Sequence, residues 1–309
     1  MNYHPYFRGK QYELICLREN AELVSKENFT PIIEPVREQG ASLKRALDSL
    51  KSAYANFLVV ANPSVGHHSD NLGKEVRNIV KEALNGYNKG NWIYQIRAED
   101  DLLALLAWYK TNPTIALFHD GYSSGGFLAS KLKEIDANPT HHIFTNGCSK
   151  PYRKHFNAPQ RILIGEGFKK RNNRDYPETE LFSDLNVTFQ DENMTGFGDY
   201  LIVGNEYSET GGPAYAIAIH ITYVDPDNDG SIYVRHFISD RVDTPTDPAG
   251  KFREALQKLS NECNRHGTKI KRTKAIDEFL KLHEMRHFPG LGYVKKLSMQ
   301  HHLELLSEN

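Results

Sequence analysis

Phe57-Leu-Val-Val-Ala-Asn62 and Trp92-Ile-Tyr-Gln-Ile-Arg97, with the amphipathic stretch 71–84 between them, decide the fold. Each apolar run is too short for a helix of ordinary length, is rich in β-branched and aromatic residues, and closes on a polar side chain, as buried parallel strands do. Successive parallel strands require a crossover, and the stretch between these two has helical spacing. The same alternation runs outward in both directions. Upstream stand Tyr3–Phe7 and Phe29–Glu34; downstream stand Thr114–Asp120, His141–Asn146, Arg161–Glu166 and Tyr200–Val203. Helical patterns fall at 13–25, 43–54, 101–109 and 128–135. Eight strand–helix units predict an α/β fold, a TIM-like (β/α)8 barrel, whose functional groups belong at the ends of its strands.

After Glu166 the alternation breaks. Residues 167–198 are polar and charged, the composition of a functional loop or an insertion. Two alternating runs, 215–224 and 231–239, flank Asp225-Pro-Asp-Asn-Asp-Gly230 and predict a hairpin, and helical patterns at 250–264, 273–286 and 293–306 close the chain. The expected organisation is one domain, 1–309: strand–helix units over 1–205, a β-hairpin insertion over 206–245 and closing helices over 246–309.

Charge is balanced, with 38 Lys+Arg against 39 Asp+Glu, so a protein that coats nucleic acid or an anionic membrane through global charge is excluded. The opening Met1-Asn-Tyr-His-Pro-Tyr6 lacks a charged leader with an apolar core, and no apolar run reaches spanning length. Cys16, Cys148 and Cys263 are odd in number and widely spaced. A cytoplasmic protein with reduced thiols and no membrane association is expected.

Three groups of residues carry a resemblance: Pro5-Tyr-Phe-Arg-Gly-Lys-Gln-Tyr-Glu13, Thr30-Pro-Ile-Ile-Glu-Pro35, and Gly196-Phe-Gly-Asp-Tyr200 followed by 214–223. In this order and spacing they resemble the beta family of phage and bacterial mobile-element proteins. Gly290-Leu-Gly-Tyr-Val-Lys-Lys296 and His301-His-Leu-Glu-Leu-Leu306 are similar to a bacterial branch found beside a gene for a nuclease-like protein. The resemblance implies a barrel, a mobile-element or antiphage setting and a nuclease-like partner; it implies no reaction.

The strand ends supply the candidate chemistry. Arg8, Lys10 and Glu13 follow the first strand, Glu34 the second, Asn62 the third, Arg97 the fourth, His119 and Asp120 the fifth, Asn146 the sixth and Glu166 the seventh, with Asp199 beside the eighth. Carboxylates among cations suit a phosphate ester: Arg8, Lys10, Arg97, Lys169 and Arg171 to bind phosphate, Glu34, Asp120 and Glu166 to hold Mg2+ or Mn2+, and His119, Glu34 or Asp120 to move protons. The alternative for each is a salt bridge capping the barrel. Lys169-Lys-Arg-Asn-Asn-Arg174 lies where barrels often bind phosphate, although a solvated charge run reads the same way. Ser208-Glu-Thr-Gly-Gly-Pro213 offers backbone N–H groups to the same anion but lacks nucleoside-triphosphatase spacing.

Two motifs compete with this reading. His283-Glu-Met-Arg-His287 matches H-E-x-x-H of zinc peptidases, yet Arg286 and the following Pro289 suit an exposed helix end better than a buried zinc helix. Asp225-x-Asp227-x-Asp229-Gly230 opens like a calcium loop, but His236 stands where a bidentate glutamate is required, so a hairpin turn is expected. Sequence therefore points to metal-assisted processing of a nucleotide or nucleic-acid ester. A non-catalytic recognition subunit for the nuclease-like partner is the alternative from another class.

Overall fold

The computed structural model describes residues 2–307 apart from Asp70, Thr210, Gly211 and Pro213. Half of the glycine-rich segment 208–213 expected as an anion loop, Thr210, Gly211 and Pro213, thus lies outside the described residues. Among those described, no helix is long and apolar enough to cross a membrane.

The strands are β1 (Tyr6–Arg8), β2 (Ile32–Glu34), β3 (Phe57–Val60), β4 (Gly90–Ile96), β5 (Ala116–His119), β6 (His141–Thr145), β7 (Gln160–Gly165), β8 (Thr179–Ser183), β9 (Gly196–Asp199), β10 (Ala218–Asp225) and β11 (Ser231–Ile238). The helices are α1 (Gln11–Glu19), α2 (Ala21–Lys26), α3 (Ala41–Ser52), α4 (Lys74–Leu84), α5 (Glu99–Tyr109), α6 (Gly125–Glu134), α7 (Lys150–Arg153), α8 (Leu185–Thr188), α9 (Pro248–Cys263), α10 (Lys274–Glu284) and α11 (Leu291–Leu306).

Two compact units divide the chain: Met1–Gly165 with Thr188–Asp199, and Glu166–Val187 with Tyr200–Asn309. In the first, eight parallel strands run β1-β2-β3-β4-β5-β6-β7-β9 with helices between them, the (β/α)8 architecture expected. A parallel bridge between Tyr3 and Phe197 joins the last strand to the first, with the His4 N–H donating to the Phe197 carbonyl at 2.8 Å. Seven strands fall where the apolar runs place them. The eighth does not: Tyr200–Val203 includes a 3-10 turn, Leu201–Val203, and Gly196–Asp199 supplies the strand. Its glycines answer to close packing, because a Cβ at Gly198 would lie 2.0 Å from the His4 carbonyl oxygen and one at Gly196 2.4 Å from that of Asn2.

Alternation along the strands separates barrel interior from helix layer. Tyr6 meets Gln95 of β4 and Phe118 of β5, strands that are not its neighbours, and only the barrel interior allows such contacts. His119, one residue beyond Phe118, points the other way, among Tyr152 of α7 and Phe156.

The second unit has a core of its own. Its sheet runs β10-β11-β8, wholly antiparallel, so the polar insertion 167–198 contributes a strand. Ile217, Ile219, Ile221 and Phe237 on one face pack with Phe252, Leu256 and Leu259 of α9 and with Ile276 and Phe279 of α10. The aspartate-rich segment is the β10–β11 turn, with Asp229 and Gly230 at positive φ and Asp225 paired with Lys269 and accepting from Asn228.

Candidate functional site

The carboxyl-terminal end of the barrel gathers Arg8, Glu34, Arg97 and Asp120. Glu34 ends β2, is 1 % exposed and is surrounded by donors. Its Oε1 accepts from the Ser64 N–H at 2.6 Å, the Ser64 hydroxyl at 2.9 Å and Gln95 Nε2 at 3.2 Å; its Oε2 accepts from the Tyr6 hydroxyl at 3.0 Å and lies 3.7 Å from Arg8 Nε. A carboxylate so surrounded can be buried without an orphaned acceptor. Both oxygens are occupied, however, which leaves Glu34 poorly fitted to bind a divalent cation. It anchors Arg8 and the Tyr6–Gln95 pair.

Asp120 is the available carboxylate. Its backbone N–H donates to the Ile96 carbonyl at 3.0 Å, continuing the ladder one residue beyond β5, and its side chain is partly buried. Burial pushes its carboxyl up, against the cations Arg97 and Arg8 and a hydrogen bond from Thr145, while the negative charge of Glu34 adds to the rise. These influences place Asp120 in one electrostatic neighbourhood with Arg8, Glu34 and Arg97.

Arg97 is held by Asp101, whose Oδ1 lies 3.0 Å from Nη2 and whose Oδ2 accepts from the Arg97 backbone N–H at 2.9 Å and the Ala98 N–H at 3.1 Å. The acidic first turn of α5 thus fixes the arginine and satisfies helix-start donors together. Although burial opposes it, the hydrogen bonds and charge of Arg97 keep the Asp101 carboxyl low. Asn62 continues the β3–β4 ladder with its side chain, giving Nδ2 to the Gln95 carbonyl at 2.9 Å and accepting the Gln95 N–H at 2.8 Å.

The remaining predicted residues are placed elsewhere. His119 is fully buried in the helix layer, Nδ1 2.8 Å from the Tyr152 hydroxyl and Nε2 2.9 Å from His142 Nδ1; with both nitrogens engaged and desolvation, then His142 and Arg161, holding it well below its ordinary pKa, it is not the proton carrier of the rim. Asp199 is buried and accepts from the Tyr3 hydroxyl at 2.8 Å. Lys10 caps α1 through its backbone, Glu13 is buried in the first turn of that helix, and Asn146 is exposed in the turn after β6. Glu166, Lys169 and Arg171 belong to the second unit. There Glu166 is exposed and accepts from Asn205 at 2.6 Å, Lys169 is exposed, and Arg171 grips both oxygens of Glu180, with Nη2 3.0 Å from Oε2. Among the described residues no group of three or more His, Cys, Asp or Glu side chains is arranged to hold a metal ion.

Tyr6, Ser64 and Gln95 were not expected at the site. The signal for two of them was present: Tyr6 and Gln95 are polar-tipped residues inside apolar strands, two positions from Arg8 and Arg97 respectively, and therefore on the same face as those arginines.

The H-E-x-x-H motif does not form a zinc helix. α10 ends at Glu284, Arg286 takes a positive φ of 50°, and His287 lies past the helix. His301 and His302 are spent on Thr273 and on both the hydroxyl and the carbonyl of Thr222.

No family model and no curated protein matches this chain. Among solved structures, the hyperthermostable endo-1,4-beta-D-mannanase from Thermotoga petrophila RKU-1 aligns at 10 % identity and a TM-score of 0.38, over 67 % of this chain and 90 % of that one. An endo-beta-1,4-mannanase from Thermotoga petrophila aligns at 11 % identity and the same TM-score, over 68 % and 69 %. At that level of likeness neither carries an argument about chemistry. The barrel stands on its own strand order.

Proposed function

We propose that the carboxyl-terminal rim of the barrel hydrolyses an anionic ester, a phosphate ester of the nucleotide or nucleic-acid class. The observation that carries this reading is the contrast between two carboxylates: Glu34, saturated by donors, and Asp120, partly exposed and raised by burial between Arg8 and Arg97. Environments that differ this much give two carboxylates different roles. Arg8 and Arg97 hold the non-bridging oxygens, as guanidinium groups suit phosphate; a water attacks phosphorus and releases its proton to solvent while the bond to the leaving oxygen breaks, and Asp120 gives that oxygen its proton. Glu34 and Asp101 keep the two arginines in place. A divalent cation, if one is used, would be held by Asp120 as carboxylate and would neutralise charge on the leaving oxygen in place of the proton, since magnesium commonly takes few protein carboxylates. The family resemblance supports a mobile-element or antiphage setting and a nuclease-like partner, and is silent on the reaction.

The test is incubation of the full chain with a panel of nucleotides, RNA and DNA, in Mg2+, Mn2+ or a chelator, beside Asp120→Asn. Ester cleavage that the variant lacks supports the reading. Silence in every arm from folded protein overturns catalysis by the isolated chain and favours a recognition subunit, for which copurification with the partner is the measurement.

A further inference from the structure

The second unit carries a polar chain that the rim chemistry does not use. Three neighbouring strands place Glu180 of β8, His236 of β11 and His220 of β10 on one sheet face, opposite the apolar cluster: His220 pairs with His236 across β10–β11, and Glu180 with Val234, two residues from His236, across β11–β8. Glu180 Oε1 lies 3.3 Å from His236 Nε2, and His236 Nδ1 lies 2.7 Å from His220 Nδ1. The His236 side chain has no solvent exposure and its Nε2 makes no well-aligned hydrogen bond, so the carboxylate is what that nitrogen faces. Tyr176 stacks on His236 at 4.6 Å between centroids, while Phe168 and Tyr176 meet His220 edge-on at 4.9 and 4.8 Å.

Proton order along this chain follows from the end that is fixed. A carboxylate gripped by Arg171 only accepts, so His236 presents Nε2–H to it; a bare nitrogen there would set lone pair against lone pair. A neutral imidazole has one N–H, which leaves His236 Nδ1 as an acceptor. His220 must then donate through Nδ1–H. Its remaining nitrogen, Nε2, is left bare; His220 is partly exposed, and this atom has no hydrogen bond to any described residue.

We infer that Glu180, His236 and His220 form a relay that presents His220 Nε2 as a fixed acceptor in a binding site of the second unit, for the hydroxyl of a ligand or for a water to be oriented. Burial, then the neighbouring His236 and Lys295, disfavour positive charge on His220 and keep its ring neutral. Glu180 and His236 are positioning residues; His220 makes the contact.

The experiment is nitrogen NMR of the full chain labelled at histidine, with diethyl pyrocarbonate, which modifies bare imidazole nitrogens, as the probe of access. The expected wild-type result is His220 protonated at Nδ1 and bare at Nε2, and modified at His220. In Glu180→Leu the acceptor that fixes the His236 Nε2–H is removed, so the order is no longer held: His220 becomes a mixture of its two tautomers and its modification slows, by about twofold if they are equally populated. A wild-type His220 protonated at Nε2, a His220 that the reagent does not reach, or an order unchanged in folded Glu180→Leu overturns the proposal. The wild-type spectrum decides alone if the variant fails to fold.

Discussion

The Tyr3 hydroxyl donates to Asp199 Oδ1 at 2.8 Å, so the residue bridged to the last barrel strand also satisfies the carboxylate at that strand's end. Both side chains are buried, and the aromatic ring packs on Phe29 and Phe197. Tyr3→Phe keeps the ring and removes a donor from a buried carboxylate. The expected loss is about 1–3 kcal/mol of unfolding free energy, measured by urea denaturation. A change within error would show that the seam does not depend on this bond.

Gly198→Ala is expected to be worse. Its Cβ would fall 2.0 Å from backbone, the His4 carbonyl oxygen, and a main chain held by strand pairing cannot swing aside as a side chain can. Little folded protein is expected on expression. A folded variant of near wild-type melting temperature would require the seam to be looser than described.

Glu34→Gln and Asp120→Asn separate anchor from chemistry. Glu34→Gln sets an amide NH2 among groups that donate and should cost about 2–4 kcal/mol of stability. Asp120→Asn should leave the fold intact while kcat falls about 10²–10⁴-fold, the usual range for a lost proton-transfer group. Denaturation curves and steady-state kinetics on both variants decide; similar behaviour of the two would remove the division of roles.

Asp120 also sets a pH dependence of the opposite sign to that of most carboxylates. Its folded pKa is raised, so the stability it contributes is present in acid and is lost as pH climbs from the ordinary carboxylate range through the raised value. Asp120→Asn abolishes that loss. Measured against wild type, the variant should gain in relative stability between acid and neutral pH, and a flat difference would contradict the burial effect.

Buried histidines give the larger acid response. Desolvation holds His4 and His142 down to about 3 and His141, His236 and His301 to about 4, against 6.5 when unfolded. The folded state therefore refuses protons that the unfolded chain accepts. Stability is complete above pH 6.5 and should fall below it at up to about 1.4 kcal/mol per pH unit for each such histidine. Thermal melts across pH 4.5–7.5 check this, and an unchanged midpoint would mean that these rings are hydrated.

The sequence was legible where burial on both faces of a strand left a continuous apolar run, as in Phe57–Val60 and Arg161–Ile164. Gly196–Asp199 hid because close approach to the first strand demands glycine, which local propensity scores against a strand. Thr179–Ser183 hid because only Phe182 in it is buried. At the site, the strand-end rule located Arg8, Glu34, Arg97 and Asp120, whereas His119 was misplaced by a single residue of alternation. A period of two sends neighbours to opposite faces, and no pattern within four residues fixes the phase. The donors around Glu34 come from three separate segments, so its occupied state could be seen only after folding.

The bridge from Tyr3 to Phe197 joins the chain's opening to a strand that follows the first segment of the other unit. During synthesis the ring must wait, with seven strands made and two edges unpaired, until residues 166–195 have emerged. Each unit is interrupted by the other, and no single cut yields both whole. A chain stopped at Gly165 would present two exposed parallel edges, the condition under which sheets join to their neighbours instead of to themselves.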